Sequence, residues 1–241
     1  MKKIFLSLFL VFFCLGAFAL DTQIDVLAGG FYNYDNIFRG SASYQKVVNY
    51  DYVNYDGAYR AAFRGGGGSL GFDLFFNEFP LGMYFRAGYM GIKGVERTAG
   101  GQSVKLDNTE INLNMFYDLG GVYELDINNY FSVCLAPAVS LIFVNSEYRD
   151  LKNIYSSRTA IDSLFGVGAS ADIYIKYRYK YFVASAGCAA SFYPLALVSS
   201  QDTAISYSLN IRDTMAYNLR PYISVGFTFL EHTAANITAA N

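Results

Sequence analysis

The sequence predicts an all-β protein, an eight-stranded antiparallel up-and-down transmembrane β-barrel. Three observations support this prediction: apolar and polar residues alternate with period two, long and short connections alternate, and charge is low for the apolar content. Hydrophobic residues make up 53% of the chain and charged residues 16%, whereas about a quarter of residues are charged in ordinary soluble domains. Such an apolar chain is not disordered, and 18 Lys and Arg against 20 Asp and Glu disfavour nucleic-acid binding.

The first 19 residues are predicted to be a signal peptide. Lys2 and Lys3 precede a 13-residue apolar run, and small residues then precede the predicted cleavage site after residue 19. The run is shorter than the roughly 20 residues that a bilayer-spanning helix requires. We therefore expect an exported protein with the barrel over residues 20–229 and a short periplasmic tail over residues 230–241.

Eight segments show the alternation that a β-strand requires, because successive side chains of a strand point to opposite faces. The most regular is residues 111–119, where five apolar residues alternate with polar or aromatic ones. Pro137 and Pro221 lie inside two of the segments, and a β-bulge is expected at each because proline lacks the amide hydrogen. The predicted strands lie near residues 22–34, 65–76, 81–92, 109–126, 130–145, 157–176, 180–193 and 215–229.

The connections between these strands are alternately long and short. Short turns are predicted at residues 77–80, 127–129 and 177–179, and a long first loop joins Asn33 to Phe63. An up-and-down barrel of the outer membrane is built in this way, with tight periplasmic turns and long external loops. A soluble ligand-binding β-barrel would not need this asymmetry.

The two faces of the predicted strands differ in charge. The face that carries Leu70, Leu113, Val139 and Ile223 has no charged residue across the six regular strands, whereas the opposite face combines charges with Gly, Ser and Ala. The lumen candidates are Asp25, Asp73, Arg86, Asp118, Asp172 and Arg220. Eight strands leave an interior that side chains just fill, so these charges are expected to pair as a plug. The alternative is that they gate a small pore.

Aromatic residues support the membrane interpretation because they cluster near the predicted short turns and at the end of the last strand. An interfacial girdle would lie there in an outer-membrane barrel. The residues concerned are Phe76, Phe79, Tyr117, Tyr130, Phe131, Tyr177, Tyr179, Tyr181, Phe227 and Phe229.

The leader, the eight alternating strands, the three short turns and the last strand at residues 221–229 resemble the small outer-membrane barrels, such as the OmpA transmembrane domain, OmpX and OmpW. The Tyr-rich, Trp-free composition is also similar to that of treponemal outer-membrane proteins of unassigned function. The resemblance implies a monomer in the outer membrane of a diderm bacterium, with lipid around the barrel. In those barrels the last strand usually ends on its aromatic residue, whereas this chain continues past Phe229.

The sequence offers no candidate for a catalytic, cofactor or metal site. Enzymes among the outer-membrane barrels resemble one another in using a histidine base, and the single histidine, His232, lies in the predicted tail away from the strand serines. Cys134 and Cys188 are on the fifth and seventh predicted strands, too far apart for a disulfide, and are expected to be packing residues. The protein is therefore predicted not to be an enzyme and to need no cofactor.

The predicted first loop is the candidate binding surface. It combines Tyr with Asn, Asp and Ser, a composition typical of adaptable binding surfaces. The binding candidates are Tyr44, Tyr50, Tyr52, Tyr55 and Tyr59. Alternatively, these tyrosines lie at the tops of strands that rise above the membrane.

Three functional hypotheses follow from the sequence. The first is a barrel that presents long, surface-exposed loops for adhesion to host or environmental molecules. The second is a narrow, OmpW-like channel that passes small, in some cases hydrophobic, solutes through the lumen or laterally through the wall. The third is a secreted soluble ligand-binding β-barrel.

Overall fold

A computed structural model gives the fold as strands joined by turns. It describes residues 22–48, 51–76, 79–91, 94–99, 102–106, 109–149, 159–202 and 210–231. Within these ranges no helix is long and apolar enough to cross a membrane. The predicted signal peptide and His232 lie outside the described residues.

Eight of the ten described strands close into an antiparallel ring, which confirms the predicted barrel. The strands are β1 (Thr22–Val48), β2 (Asp51–Phe76), β3 (Leu81–Met90), β4 (Gly94–Ala99), β5 (Gln102–Leu106), β6 (Thr109–Asp126), β7 (Phe131–Arg149), β8 (Thr159–Tyr179), β9 (Phe182–Asp202) and β10 (Asn210–Glu231). The ring runs β1-β2-β3-β6-β7-β8-β9-β10 and closes by pairing of β10 with β1. β4 and β5 form a hairpin, and β4 pairs with a part of β2 that lies beyond the segment paired with β3.

The prediction of a long first loop between Asn33 and Phe63 is wrong, because β1 and β2 form a β-hairpin over this segment. β1 and β2 stay paired from Thr22↔Phe76 to Val48↔Asp51. The Asn, Asp and Ser residues in this segment suggest a loop, but they lie within the β1–β2 ladder, whose backbone hydrogen bonds do not require alternating apolar side chains. The described backbone therefore favours the alternative in which the tyrosines lie on strands that continue beyond the barrel.

Several other strand ends also differ from the prediction. β9 continues to Asp202 rather than to residue 193, β10 begins at Asn210 rather than 215, and it ends at Glu231 rather than 229. The third turn lies at Lys180 and Tyr181, not at residues 177–179, and Lys180 has the positive φ of 55° that a tight turn requires.

The two mid-strand prolines behave differently. Beside Pro221 the β1–β10 register shifts between Phe31 and Asp35, as a β-bulge requires. At Pro137 the expected bulge is absent: β6 and β7 lose their pairing for two residues and then resume the same register.

The outer face of the barrel is apolar and the inner face is polar near the short turns. Leu70, Val139 and Ile223 are each at least 60% exposed. Exposed aromatic side chains lie beside the turns, where Tyr130 contacts the rings of Tyr177 and Tyr179 at 6.4 and 6.2 Å. An apolar exterior around a polar interior is the pattern of a membrane barrel rather than of a soluble one.

The interior becomes apolar at the end far from the short turns. A buried cluster there includes Phe38, Phe63, Ile142, Leu164 and Ala196. The interior therefore has two zones, a polar one at the turn end and an apolar one at the far end.

Both cysteines in the described chain, Cys134 and Cys188, are free.

Candidate functional site

All six predicted lumen residues lie on the inner face and are at most 4% exposed. Three further charged side chains lie in the interior near the short turns and were missed: Glu124, Lys176 and Arg178. Asp162, which is buried nearer the far end, was missed as well. The sequence did carry a signal for Glu124 and Lys176. Glu124 follows Asp118 by an even number of residues on β6, and Lys176 follows Asp172 in the same way on β8, so each pair shares a face.

The network nearest the short turns, here called the lower network, joins two cations to three carboxylates. The Lys176 Nζ lies 2.8 Å from an Asp25 oxygen, 2.7 Å from an Asp73 oxygen and 3.4 Å from a Glu124 oxygen. Arg178 donates to Asp25 at 2.5 Å and also to Glu124. Such pairing is what makes buried charges tolerable inside a narrow barrel.

The next layer is built around Arg86. Its guanidinium carbon lies 4.3 Å from the ring centre of Tyr222, 5.3 Å from that of Tyr84 and 5.4 Å from that of Tyr174. The phenols of Tyr84 and Tyr222 donate to the same Asp172 oxygen at 2.7 and 2.9 Å. Three tyrosine rings thus enclose one cation beside one carboxylate.

A third layer centres on Asp118. Arg220 donates to one Asp118 oxygen at 2.6 Å and to the Ser191 hydroxyl at 3.1 Å. Ser140 donates to the other Asp118 oxygen at 2.5 Å and contacts the Tyr193 hydroxyl at 2.9 Å. The three layers together, called the plug below, fill the interior from the short turns to the level of Tyr193. Among the residues that the structure describes, no group of His, Cys, Asp and Glu side chains is arranged to hold a metal ion.

Contrary to the prediction, Tyr59 is buried and does not lie on the surface. Its side chain is 1% exposed, and its phenol donates to an Asp162 oxygen at 3.0 Å inside the barrel. It shares a strand face with the buried Ala61 and Phe63, so alternation along β2 directs it inward. Of the other candidates, Tyr44, Tyr52 and Tyr55 lie in the paired β1–β2 hairpin, and Tyr50 lies outside the described residues.

Above the plug, the barrel wall opens between β9 and β10. The pairing of these strands runs from Phe182↔Phe227 to Tyr193↔Ala216. Among the described residues no further pair joins them, although β9 continues to Asp202.

Irregularities on both strands coincide with the start of this opening. Pro194 directly follows the last paired residue of β9 and has no amide hydrogen to donate, and the β8–β9 register shifts at the same level. On β10, Asp213 has a φ of 54°, and the β1–β10 register shifts between Arg39 and Ser41. Each strand therefore bulges where it would otherwise pair with the other.

A cavity of about 600 Å³ lies at the opening, within the usual size range of small-molecule sites. Its lining includes Leu164, Ala196 and Thr214, which are buried inside the barrel, and Leu195 and Leu197, which are each 70% exposed on the outside. The cavity therefore reaches through the wall. The Thr214 hydroxyl donates to the Ala196 carbonyl across it.

Solved outer-membrane proteins share this architecture at low sequence identity. The outer membrane protein OprG from Pseudomonas aeruginosa is 16% identical, and the match covers 88% of this chain and 96% of OprG with a TM-score of 0.55. A major outer membrane protein from Thermus thermophilus is 12% identical, with 80% and 99% coverage and a TM-score of 0.50. The fold is that of the small outer-membrane β-barrels. No family model and no curated protein matches the sequence.

Proposed function

We propose that this protein is a monomeric barrel in the outer membrane of a diderm bacterium and that it passes small apolar solutes sideways between the outside and the membrane. The observation that carries this proposal is the cavity of about 600 Å³, which reaches through the wall between β9 and β10. It lies above a lumen that the plug fills.

Passage along the barrel axis is disfavoured by the plug. A solute that enters from the far end meets Tyr193, Ser140, Asp118 and Arg220, which are buried and bonded to one another. Separating such groups would leave buried charges without partners, which is costly in a narrow interior. The side opening avoids this cost.

The lining of the cavity favours apolar solutes. Most of the lining is apolar: Leu164 and Val144 line its inner part, and Phe165, Leu195 and Leu197 line its outer part. The polar residues of the lining are the minority, namely Asn145, Ser163, Ser199, Arg212, Asp213 and Thr214. A polar solute would lose hydrogen bonds with water and regain few of them against such side chains. An apolar solute would instead leave water for the cavity and then reach the lipid.

The position of the opening fits the boundary of the membrane. The β9–β10 pairing joins 12 residue pairs, close to the roughly 9–11 residues that a transmembrane β-strand needs. Unpaired backbone groups are not tolerated in hydrocarbon but are satisfied by water or lipid headgroups. The paired segment therefore spans the hydrocarbon, and the opening begins where the hydrocarbon ends.

Filling the cavity tests this proposal. The replacement Ala196→Trp puts a large side chain into the lining, whereas Ala190→Trp adds the same side chain on the exposed face of β9. The measurement is the transfer of a small apolar fluorophore into vesicles whose outer leaflet carries lipopolysaccharide, which slows unaided partitioning. We expect Ala196→Trp to reduce protein-dependent transfer at least tenfold and Ala190→Trp to leave it unchanged. Equal transfer by wild type and Ala196→Trp contradicts the proposal.

The long hairpin of β1 and β2 favours a second function, presentation of a surface to host or environmental molecules. β3 pairs β2 only between Gly67 and Phe75, yet β1 and β2 remain paired as far as Val48 and Asp51. Deleting residues 44–55 removes paired residues in register and leaves Tyr59 in place. If the hairpin is adhesive, binding of the protein to immobilised host-cell surface molecules is lost on deletion; unchanged binding contradicts this second function.

A further inference from the structure

Two buried arginines share a small cavity within the plug. Arg86 on β3 and Arg220 on β10 both line it and are 4% and 2% exposed. The cavity has a volume of about 10 Å³, which is room for about one water-sized atom. Asp118 lies between the two arginines, since it is opposite Arg86 in the β3–β6 ladder and accepts a hydrogen bond from Arg220.

Both guanidinium groups retain donors that no described residue accepts. Among the described residues, neither terminal nitrogen of Arg86 makes a hydrogen bond. Its ion pair with Asp172 is long, at 3.6 Å, and that Asp172 oxygen already accepts from Tyr84 and Tyr222. Arg220 uses one terminal nitrogen, while its Nε and its other terminal nitrogen lack an acceptor within the described chain. Buried N–H groups are nearly always hydrogen-bonded in folded proteins.

Aromatic rings hold both guanidinium groups by their faces. The guanidinium carbon of Arg220 lies 3.7 Å from the ring centre of Phe116, and that of Arg86 lies 4.3 Å from the ring centre of Tyr222. Because all N–H bonds of a guanidinium lie in its plane, stacking on a ring occupies the face and leaves the donors at the edge. All four of these residues line the same cavity.

We propose that the cavity between Arg86 and Arg220 binds one chloride ion. The unpartnered atoms of the lining are all donors, and both Asp118 oxygens already accept, from Ser140 and Arg220. Four guanidinium nitrogens of Arg86 and Arg220 lack a partner among the described residues. One water oxygen has two lone pairs and cannot accept from all of them, whereas a chloride ion can. The two guanidinium charges also exceed the single charge of Asp118 on the same lining. The small volume excludes polyatomic anions such as phosphate. The bound ion links β3 to β10 across the lumen and strengthens the plug, whether or not solutes pass through the wall.

Anomalous scattering in crystals distinguishes chloride from water at this site. Crystals of the full barrel grown in sodium chloride and measured at long wavelength should give an anomalous peak between Arg86 and Arg220, because chlorine scatters anomalously there and oxygen does not. Density without an anomalous peak identifies a water and overturns the proposal. An absence of density at the site overturns it as well.

Thermal unfolding of the folded protein in detergent tests binding in solution. At constant ionic strength, replacing gluconate by chloride should raise the Tm of the wild type by roughly 5 °C. The variant Arg86→Met should lose this dependence, whereas Arg39→Met, which changes an exposed arginine, should keep it. If Arg86→Met does not fold, Arg86→Lys, which keeps the charge but has fewer donors, should show a smaller chloride effect. A wild-type Tm that does not respond to chloride contradicts the proposal.

Discussion

The half of the barrel near the short turns and the half beyond Tyr193 are built in opposite ways. Near the turns the β9–β10 ladder is continuous and ion pairs around Lys176 and Asp118 fill the interior. Beyond Tyr193 the interior is mainly apolar, although it includes the buried Asp162 that accepts from Tyr59. Both strands carry bulges there, and the wall opens. The same eight-stranded ring thus fills its lumen in one half and, in the function proposed above, admits a solute from the side in the other.

Under the proposed function, this difference lets a narrow barrel transport a solute without an axial pore. A charged interior suits a closed segment, because each charge has partners only while the side chains stay packed. An apolar interior suits an opening, because Leu164 and its neighbours lose no hydrogen bonds when a solute displaces them. Each half can be altered without touching the other, and the changes below run from the largest expected effect to the smallest.

Removing the central cation of the lower network should have the largest effect. Lys176→Met leaves Asp25, Asp73 and Glu124 close together, with Arg178 as the remaining cation of the lower network. Breaking a buried ion pair in this way costs about 3–5 kcal/mol. Urea unfolding from detergent measures the loss.

The control for this change is Lys180→Met, which alters an exposed lysine in the turn that follows β8. It should change the free energy of unfolding by less than about 0.5 kcal/mol. Equal losses for the two variants would show that the lower network does not stabilise the sealed half.

A smaller effect is expected at the bulge beside the opening. A Cβ added at Gly168 would collide with the Phe192 carbonyl and the Tyr193 backbone, where β9 bulges. Gly168→Ala should therefore destabilise the barrel by about 1–3 kcal/mol. At Gly30 the nearest atom to an added Cβ is 3.7 Å away, so Gly30→Ala is the matched control in urea unfolding. If both variants are equally stable, the close approach at this bulge is not needed.

The smallest effect concerns the interior above the plug. Tyr59→Phe removes the hydrogen bond to Asp162 and keeps the ring. Because we expect the opening to admit water to Asp162, loss of this hydrogen bond should cost only about 0.5–1 kcal/mol, whereas it would cost about 1.5–3 kcal/mol if the carboxylate stayed sealed from water. A loss below about 1 kcal/mol in the same urea assay would indicate that water reaches this half of the interior.

The sealed half could be predicted from the sequence more fully than the open half. Lipid outside and charge inside force strict alternation on strands that cross the membrane, so Asp118 and Asp172 could be assigned to the lumen by their position in the pattern. Glu124 and Lys176 carry the same signal. Arg178 could not be placed because it lies inside the predicted third turn, residues 177–179, whereas the turn is at Lys180 and Tyr181.

The far half could not be predicted because alternation fails there for physical reasons. The β1–β2 hairpin lacks regular apolar alternation, so its sequence suggests a loop although the two strands are paired over most of their length. The opening depends on Pro194, which lay beyond the predicted end of its strand, and on the positive φ of Asp213, which no periodicity reveals. The inward orientation of Tyr59 could not be predicted, because it requires β2 to begin at Asp51 rather than near residue 65.

Closing the opening with a reversible covalent link tests the central claim most directly. In a background with Cys134 and Cys188 replaced by alanine, Ala196→Cys and Thr214→Cys place two thiols across the gap, where the Thr214 hydroxyl now reaches the Ala196 carbonyl. We predict that oxidation stops protein-dependent transfer of the apolar fluorophore and that reduction restores it, while either single cysteine variant is insensitive to oxidant. Transfer that continues unchanged with the disulfide formed would contradict passage through the wall between β9 and β10.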